Sequence, residues 1–265
     1  MASTDAGVTG PTRAQIQDKT LRADRWWLAP LVTFIVFSAF VVYATWRAFA
    51  GSHFYSSPYL SPFYSPCLTN DCVEGSSDFG QPFSWWQLSP ALIILIFPLG
   101  FRMTCYYYRK AYYRAFWLSP PACAVAEPHA KYSGETRLPL ILQNIHRYFW
   151  CAAVVVALIL SYDTVLAFRN ADHEWGHMGL GTLLMLVNVA LIWLYTLSCH
   201  SCRHAVGGRL RHFSKHPVRY QLWTWVSRLN ADHGKYAWYS LFSVALVDLY
   251  IYLLSANVFD DPRFF

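Results

Sequence analysis

Charge is what this sequence has least of. Only 14% of its 265 residues are Asp, Glu, Lys or Arg, where a soluble domain carries about 25%. The shortage is local. Trp26–Trp46, Phe79–Phe101 and Met178–Cys202 contain no charged residue, Tyr148–Phe168 contains only Asp163, and Tyr236–Val258 only Asp248. Five such windows exclude an ordinary soluble domain. Other absences narrow the class further. No histidine lies in the middle of any window, which argues against a haem held between mid-membrane histidines. No repeat of fixed period and no paired, interrupted spans are visible, so a transporter is the weakest reading. The polar first 25 residues show no signal peptide and no small-residue cleavage site. The loop 51–78 has no Lys or Arg at all.

What is present fits a membrane protein. A spanning helix needs about 20 mainly apolar residues, so the windows predict an all-α integral membrane protein with five transmembrane helices, near 26–48, 82–104, 146–168, 178–202 and 236–257. Residues 1–25 form an arm, 26–258 the membrane domain and 259–265 a tail. Aromatics reach 18%, and Trp and Tyr cluster at the window ends as interfacial belts do. In a five-helix alternation, 18 of the 21 Lys and Arg fall on one side. The positive-inside bias makes that side cytoplasmic, with the N-terminus in and the C-terminus out. The net charge of +6 is thus a topology signal and gives no reason to invoke nucleic acid. Two cytoplasmic loops carry aromatics among their charges. FRMTCYYYRKAYYRAFW reads as an interfacial helix that bends out of the second span without a break. FSKHPVRYQLWTWVSRLN has the same character. Both suit either membrane anchoring or the docking of a soluble partner.

Cysteine follows this map. Cys67 and Cys72 lie in the outer loop, where a disulfide persists. The other five lie at or near the cytoplasmic face, where metal binding gains weight. In YTLSCHSCRH, Cys199 and Cys202 share one face of an intact helix, and His200 and His204 share another. All four cannot meet one centre unless the backbone unwinds at Cys202. Cys105, His146 and His233 stand at the same depth on other helix ends. Cys199, Cys202, His146, His233, His204 and Cys105 are therefore the candidate metal ligands. A Cys pair with a His pair suits zinc or a Rieske-type [2Fe–2S] cluster. Two thiolates and two neutral imidazoles leave an oxidised [2Fe–2S] site near zero charge, and charge beside hydrocarbon is costly. The spacing is not the usual Rieske pattern. Asp248 lies about 18 Å from its cytoplasmic helix start at 1.5 Å per residue, and an intramembrane acid is a candidate for a proton pathway. For Asp163 a hydrogen bond to a neighbour is the better reading.

FRMTCYYYRKAYYRAFW, SPPACAV, LILQNIHRYF, YTLSCHSCRH and the five-span plan together resemble the membrane-anchor subunit of a mycobacterial-type succinate dehydrogenase, respiratory complex II. The resemblance implies a flavoprotein subunit that oxidises succinate, an iron–sulfur subunit, and quinone as electron acceptor, in a bacterial plasma membrane. It also implies a Rieske-type cluster in the membrane part without saying which four side chains hold it. The chain lacks the mid-span histidines of better-known anchors, so haem ligands are not carried over. Under this reading Arg147, Tyr148 and Trp150, beside His146, are candidates to bind quinone, with Tyr106 behind them. Each is equally at home in an interfacial belt. A haem b-bearing anchor of another respiratory complex and a zinc-structured membrane scaffold or enzyme are the alternatives.

Overall fold

A computed structural model describes residues 22–69, 77–129 and 137–265, with the side chains of 137–142 excepted. Four helices are long and apolar enough to cross a membrane: α1 (Leu28–Ala50), the part of α5 (Arg137–Leu166) from Gln143 onward, α6 (Leu180–Leu197) and α9 (His233–Ser255). A fifth span is broken. It is built from α2 (Ala91–Ile94), α3 (Ile96–Thr104), α4 (Tyr106–Ala111) and a π-helical turn (Tyr112–Phe116), with a 66° bend between α3 and α4. Two further helices, α7 (His200–Gly207) and α8 (Pro217–Ala231), lie between α6 and α9.

The broken span departs from the sequence expectation at both ends. Its helix starts at Ala91 rather than near residue 82, with Pro90 as its N-cap; a proline fits a helix start but not an interior. Its exit is not continuous either: Cys105 is extended, at φ −67° and ψ 135°, between α3 and α4. By contrast α1 runs unbroken and stops at Gly51 in the left-handed region, φ 62°, as helix C-termini commonly do.

α6 packs on α9 and α5, and α5 packs on α3. Gly100 allows the last contact, since a Cβ there would lie 2.2 Å from the Phe149 ring. The end of the bundle at which α1 finishes is closed by the segment that follows it. A short antiparallel hairpin pairs Tyr55 with Leu60 and Ser56 with Tyr59, and residues 59–65 are all buried. Cys67 is disulfide-bonded; its expected partner Cys72 lies outside the described residues.

Polar side chains fasten this cap. Asp248 is fully buried and accepts hydrogen bonds from Tyr43, Ser61 and Arg47, whose Nε lies 2.8 Å from Oδ2. Arg47 also donates to the carbonyls of Ser52 and His53. The candidate proton carrier therefore sits in a closed ring of donors beneath this cap. Asp163 accepts from Ser65, the local hydrogen bond expected of it. Asp261 accepts from Tyr59, 2.7 Å away, and from the amide of Gly181. Burial and this carboxylate push the Tyr59 phenol up to about 12.

Candidate metal centre at the broken helix ends

Three interruptions of the helices face one another. The first is Cys105. The second follows α6, where Cys199 is extended at φ −65° and ψ 145° before α7 begins at His200. The third is Asp232, between α8 and α9, so that His233 is the first residue of α9. The backbone thus unwinds at Cys199 and not at Cys202. Local chemistry favours these breaks. Thr104 Oγ1 donates back to the Gly100 carbonyl at 2.7 Å, and Ser198 Oγ to the Tyr195 carbonyl at 3.1 Å. Such back-bonding competes with the helix ladder. An extended residue before a helix is an N-cap, whose side chain receives free amides of the first turn. The Ser201 amide reaches Cys199 Sγ at 3.3 Å, whereas the side chain of Cys105, at the equivalent place before α4, makes no capping hydrogen bond.

The four donors are crossed between the two breaks. His146, on the uninterrupted α5, places Nε2 3.2 Å from Cys199 Sγ, and its Nδ1 is 2.6 Å from Thr104 Oγ1. His233 places Nε2 3.6 Å from Cys105 Sγ, and its Nδ1 is 2.7 Å from Ser198 Oγ. Each hydroxyl precedes one cysteine and holds the histidine that touches the other. The hydroxyl proton of Thr104 and that of Ser198 already go to carbonyls. Each oxygen is then an acceptor, so each imidazole carries its proton on Nδ1 and keeps a lone pair on Nε2. That is the tautomer a metal-binding imidazole needs, fixed from its far side as second-shell partners do.

Aromatic rings complete the frame. Phe101 stacks on His146 at 4.9 Å and 8° between planes, and Tyr195 stacks on His233 at 5.0 Å and 13°. The Tyr195 hydroxyl is buried and has no hydrogen-bond partner among the described residues. Cys105, Cys199 and His233 are each at most 2% exposed. Among the described residues, no three His, Cys, Asp or Glu side chains converge so as to hold one metal ion. The donors come as two Cys–His contacts.

Of the six candidate ligands, Cys105, Cys199, His146 and His233 are brought together. Cys202 is buried in α7 and His204 is exposed on it, and neither side chain hydrogen-bonds to these four among the described residues. The candidate quinone residues are dispersed. Arg147 is exposed, Tyr148 is 70% and Tyr106 51% exposed, while Trp150 is half-buried and donates from Nε1 to the Thr196 carbonyl at 3.0 Å.

A comparison with protein families matches residues 28–257 to the actinobacterial succinate dehydrogenase subunit SdhC. The chain belongs to this family. As an SdhC-family chain it is the membrane-anchoring, non-flavin subunit of a succinate dehydrogenase, a quinone oxidoreductase. It is similar to a chain of the Mycobacterium smegmatis Sdh1 complex in the apo form, with 56% identity and a TM-score of 0.84, covering 98% of this chain and 99% of that one. A comparison with curated proteins found no match.

The supporting residues Thr104, Ser198, Phe101 and Tyr195 were not singled out from the sequence. They carry a signal nonetheless. Phe101–Cys105 reads FRMTC and Tyr195–Cys199 reads YTLSC: an aromatic residue, two others, a hydroxyl residue and cysteine. The aromatic stacks on one histidine, the hydroxyl holds that same ring, and the cysteine breaks the helix. In the first copy Phe101 and Thr104 both serve His146; in the second Tyr195 and Ser198 both serve His233.

Proposed function

We propose that this SdhC subunit relays electrons to quinone through a Rieske-type [2Fe–2S] cluster held by Cys105, Cys199, His146 and His233. The observation that carries the reading is the crossed pair of Cys–His contacts, with both imidazoles presenting Nε2 lone pairs. The donor set fits the group. Two cysteines and two neutral histidines are the ligand inventory of such a cluster. A lone zinc ion would need its donors gathered around one point, and here they are spread over two contacts. The oxidised cluster with two thiolates is formally neutral, which suits a buried position inside the bundle. Bound there, the cluster would supply one-electron storage at a higher potential than an all-thiolate centre.

The chain's own residues supply the setting. Thr104 and Ser198 fix the tautomer. The Ser201 amide, at the start of α7, stabilises negative charge on the Cys199 sulfur. Phe101 and Tyr195 exclude water. The partners are a flavoprotein and an iron–sulfur subunit docked on the basic, aromatic surface of α4, α7 and α8. That face is cytoplasmic by the distribution of Lys and Arg, with the N-terminus in and the C-terminus out. Succinate oxidation to fumarate releases two electrons and two protons, and quinone takes up two of each to become quinol. Acid-labile sulfide and low-temperature electron paramagnetic resonance on the complete complex test this. A signal lost in a Cys105→Ser, Cys199→Ser variant is expected. A haem spectrum, or zinc without sulfide, would replace the reading.

A further inference from the structure

A cleft of about 550 Å³ opens between the start of α1 and the run of α4 into the π-helical turn. Five charged side chains line it: Arg22, Asp24, Arg25, Lys110 and Arg114. Arg22 and Asp24 pair with one another. Arg22 also donates to the Cys123 carbonyl at 2.7 Å, which ties the segment before α1 to the loop after the π-helical turn. Arg25, Lys110 and Arg114 make no ion pair and no hydrogen bond among the described residues. Arg114 is nonetheless half-buried. Three like charges around one cleft repel one another, so an anion placed between them lowers the energy of all three.

The surroundings select the kind of anion. The rest of the lining includes Ala29, Pro30 and Thr33 of α1 and the rings of Trp26, Tyr107 and Trp238. Beside it on α1, Leu28, Leu31 and Phe34 are exposed, as are Phe116 and Trp117 on the other wall. Phe34 and Phe116 meet across the gap with ring centroids 4.9 Å apart. Exposed apolar side chains suit hydrocarbon, and Trp and Tyr mark the level of the headgroups. The cleft thus stands where headgroups give way to acyl chains, on the side that the distribution of Lys and Arg assigns to the cytoplasm. Basic pockets between membrane helices on that side hold anionic headgroups, and the arginine fork matches phosphate oxygens. We infer that this cleft binds the headgroup of an anionic phospholipid. The phosphate would sit among Arg25, Lys110 and Arg114, and the acyl chains would follow Leu31, Phe34 and Phe116. The indole N–H groups of Trp26 and Trp238, which have no acceptor among the described residues, would serve the ester oxygens. A soluble phosphate matches the cations but not the apolar walls. An acidic segment of a docked subunit would have to enter beside hydrocarbon. The inference needs no cluster and stands apart from the relay reading.

The test uses the whole complex, depleted of lipid in detergent. Dioleoylphosphatidylglycerol, dioleoylphosphatidylcholine and inorganic phosphate are offered in turn, and bound molecules are counted by native mass spectrometry. The wild type should hold one phosphatidylglycerol per SdhC chain that about a tenfold excess of phosphatidylcholine does not displace. Arg25→Gln, Arg114→Gln should lose that one molecule with the subunits still assembled. Phosphatidylglycerol with a photoreactive diazirine in an acyl chain should label 27–34 or 112–117 in the wild type and neither in the variant. Equal retention of the two lipids, or an unchanged count in the variant, overturns the inference. Inorganic phosphate retained where phosphatidylglycerol is not marks a soluble-anion site and overturns it too. So does a carbodiimide cross-link from Lys110 to a carboxylate of a partner subunit. If the variant fails to assemble, the position of the wild-type label decides: labelling confined to other segments overturns the inference.

Discussion

The ion pair under the cap that follows α1 gives the most quantitative prediction. Arg47 and Asp248 are both fully buried, 2.8 Å apart. At an effective dielectric of about 20, charges at that separation attract by about 6 kcal/mol, and most of this is offset by desolvation. Removing one partner leaves the offset without the attraction. Arg47→Met should therefore cost about 3–5 kcal/mol, the range for breaking a buried pair. At about 2–4 °C per kcal/mol, the melting transition of the subunit should drop by about 6–20 °C. Asp248 would keep Tyr43 and Ser61 but lose its counter-charge. The double variant Arg47→Met, Asp248→Leu removes both charges and should recover most of the loss. Melting is read on the purified complex by tryptophan fluorescence, with urea as a second axis. A single-variant cost below about 1 kcal/mol, or a double variant worse than either single one, would refute the reasoning. The same variants separate bracing from proton duty. Asp248→Asn should keep quinone reduction within about twofold at a temperature where the complex is intact, a change of about 0.4 kcal/mol in barrier. A collapse of activity with normal melting would assign the carboxylate to a proton path.

Three further outcomes follow from the centre. His146→Ala and His233→Ala should each abolish quinone reduction while phenazine reduction by the complex continues; full activity in either removes that residue from the ligand set. Thr104→Val and Ser198→Ala release the imidazole orientation and should each lower cluster content or activity about 10–100-fold, which iron and sulfide analysis against protein would detect. Gly100→Val drives a side chain into Phe149, 2.2 Å from the nearest ring atom, and should cost about 1–3 kcal/mol as a lower melting temperature with weaker quinone reduction.

The spans were legible because hydrocarbon enforces them: α1 and α6 fall on windows without charge, and α5 and α9 on windows with a single acid each. The broken span was half legible. Its composition marks a crossing, but composition is blind to the extended dihedrals at Cys105, which follow the Thr104 back-bond to the Gly100 carbonyl. The same blindness put Cys202 with Cys199 on one helical face, whereas the break at Cys199 itself separates them. Depth alone did place Cys105, His146 and His233 beside Cys199. The recurrence of FRMTC and YTLSC was readable throughout. It escaped because two five-residue copies about ninety residues apart do not form a periodic repeat. The cleft beside α1 was not legible at all, since it depends on how far α1 stands from α4 and the π-helical turn.

The most direct measurement is the electron paramagnetic resonance spectrum of the succinate-reduced whole complex, with acid-labile sulfide, for wild type against Cys105→Ser, Cys199→Ser. The account predicts one iron–sulfur signal and two sulfides per complex beyond those of the partner subunits, both lost in the variant. Identical spectra and sulfide content in the two complexes would contradict it.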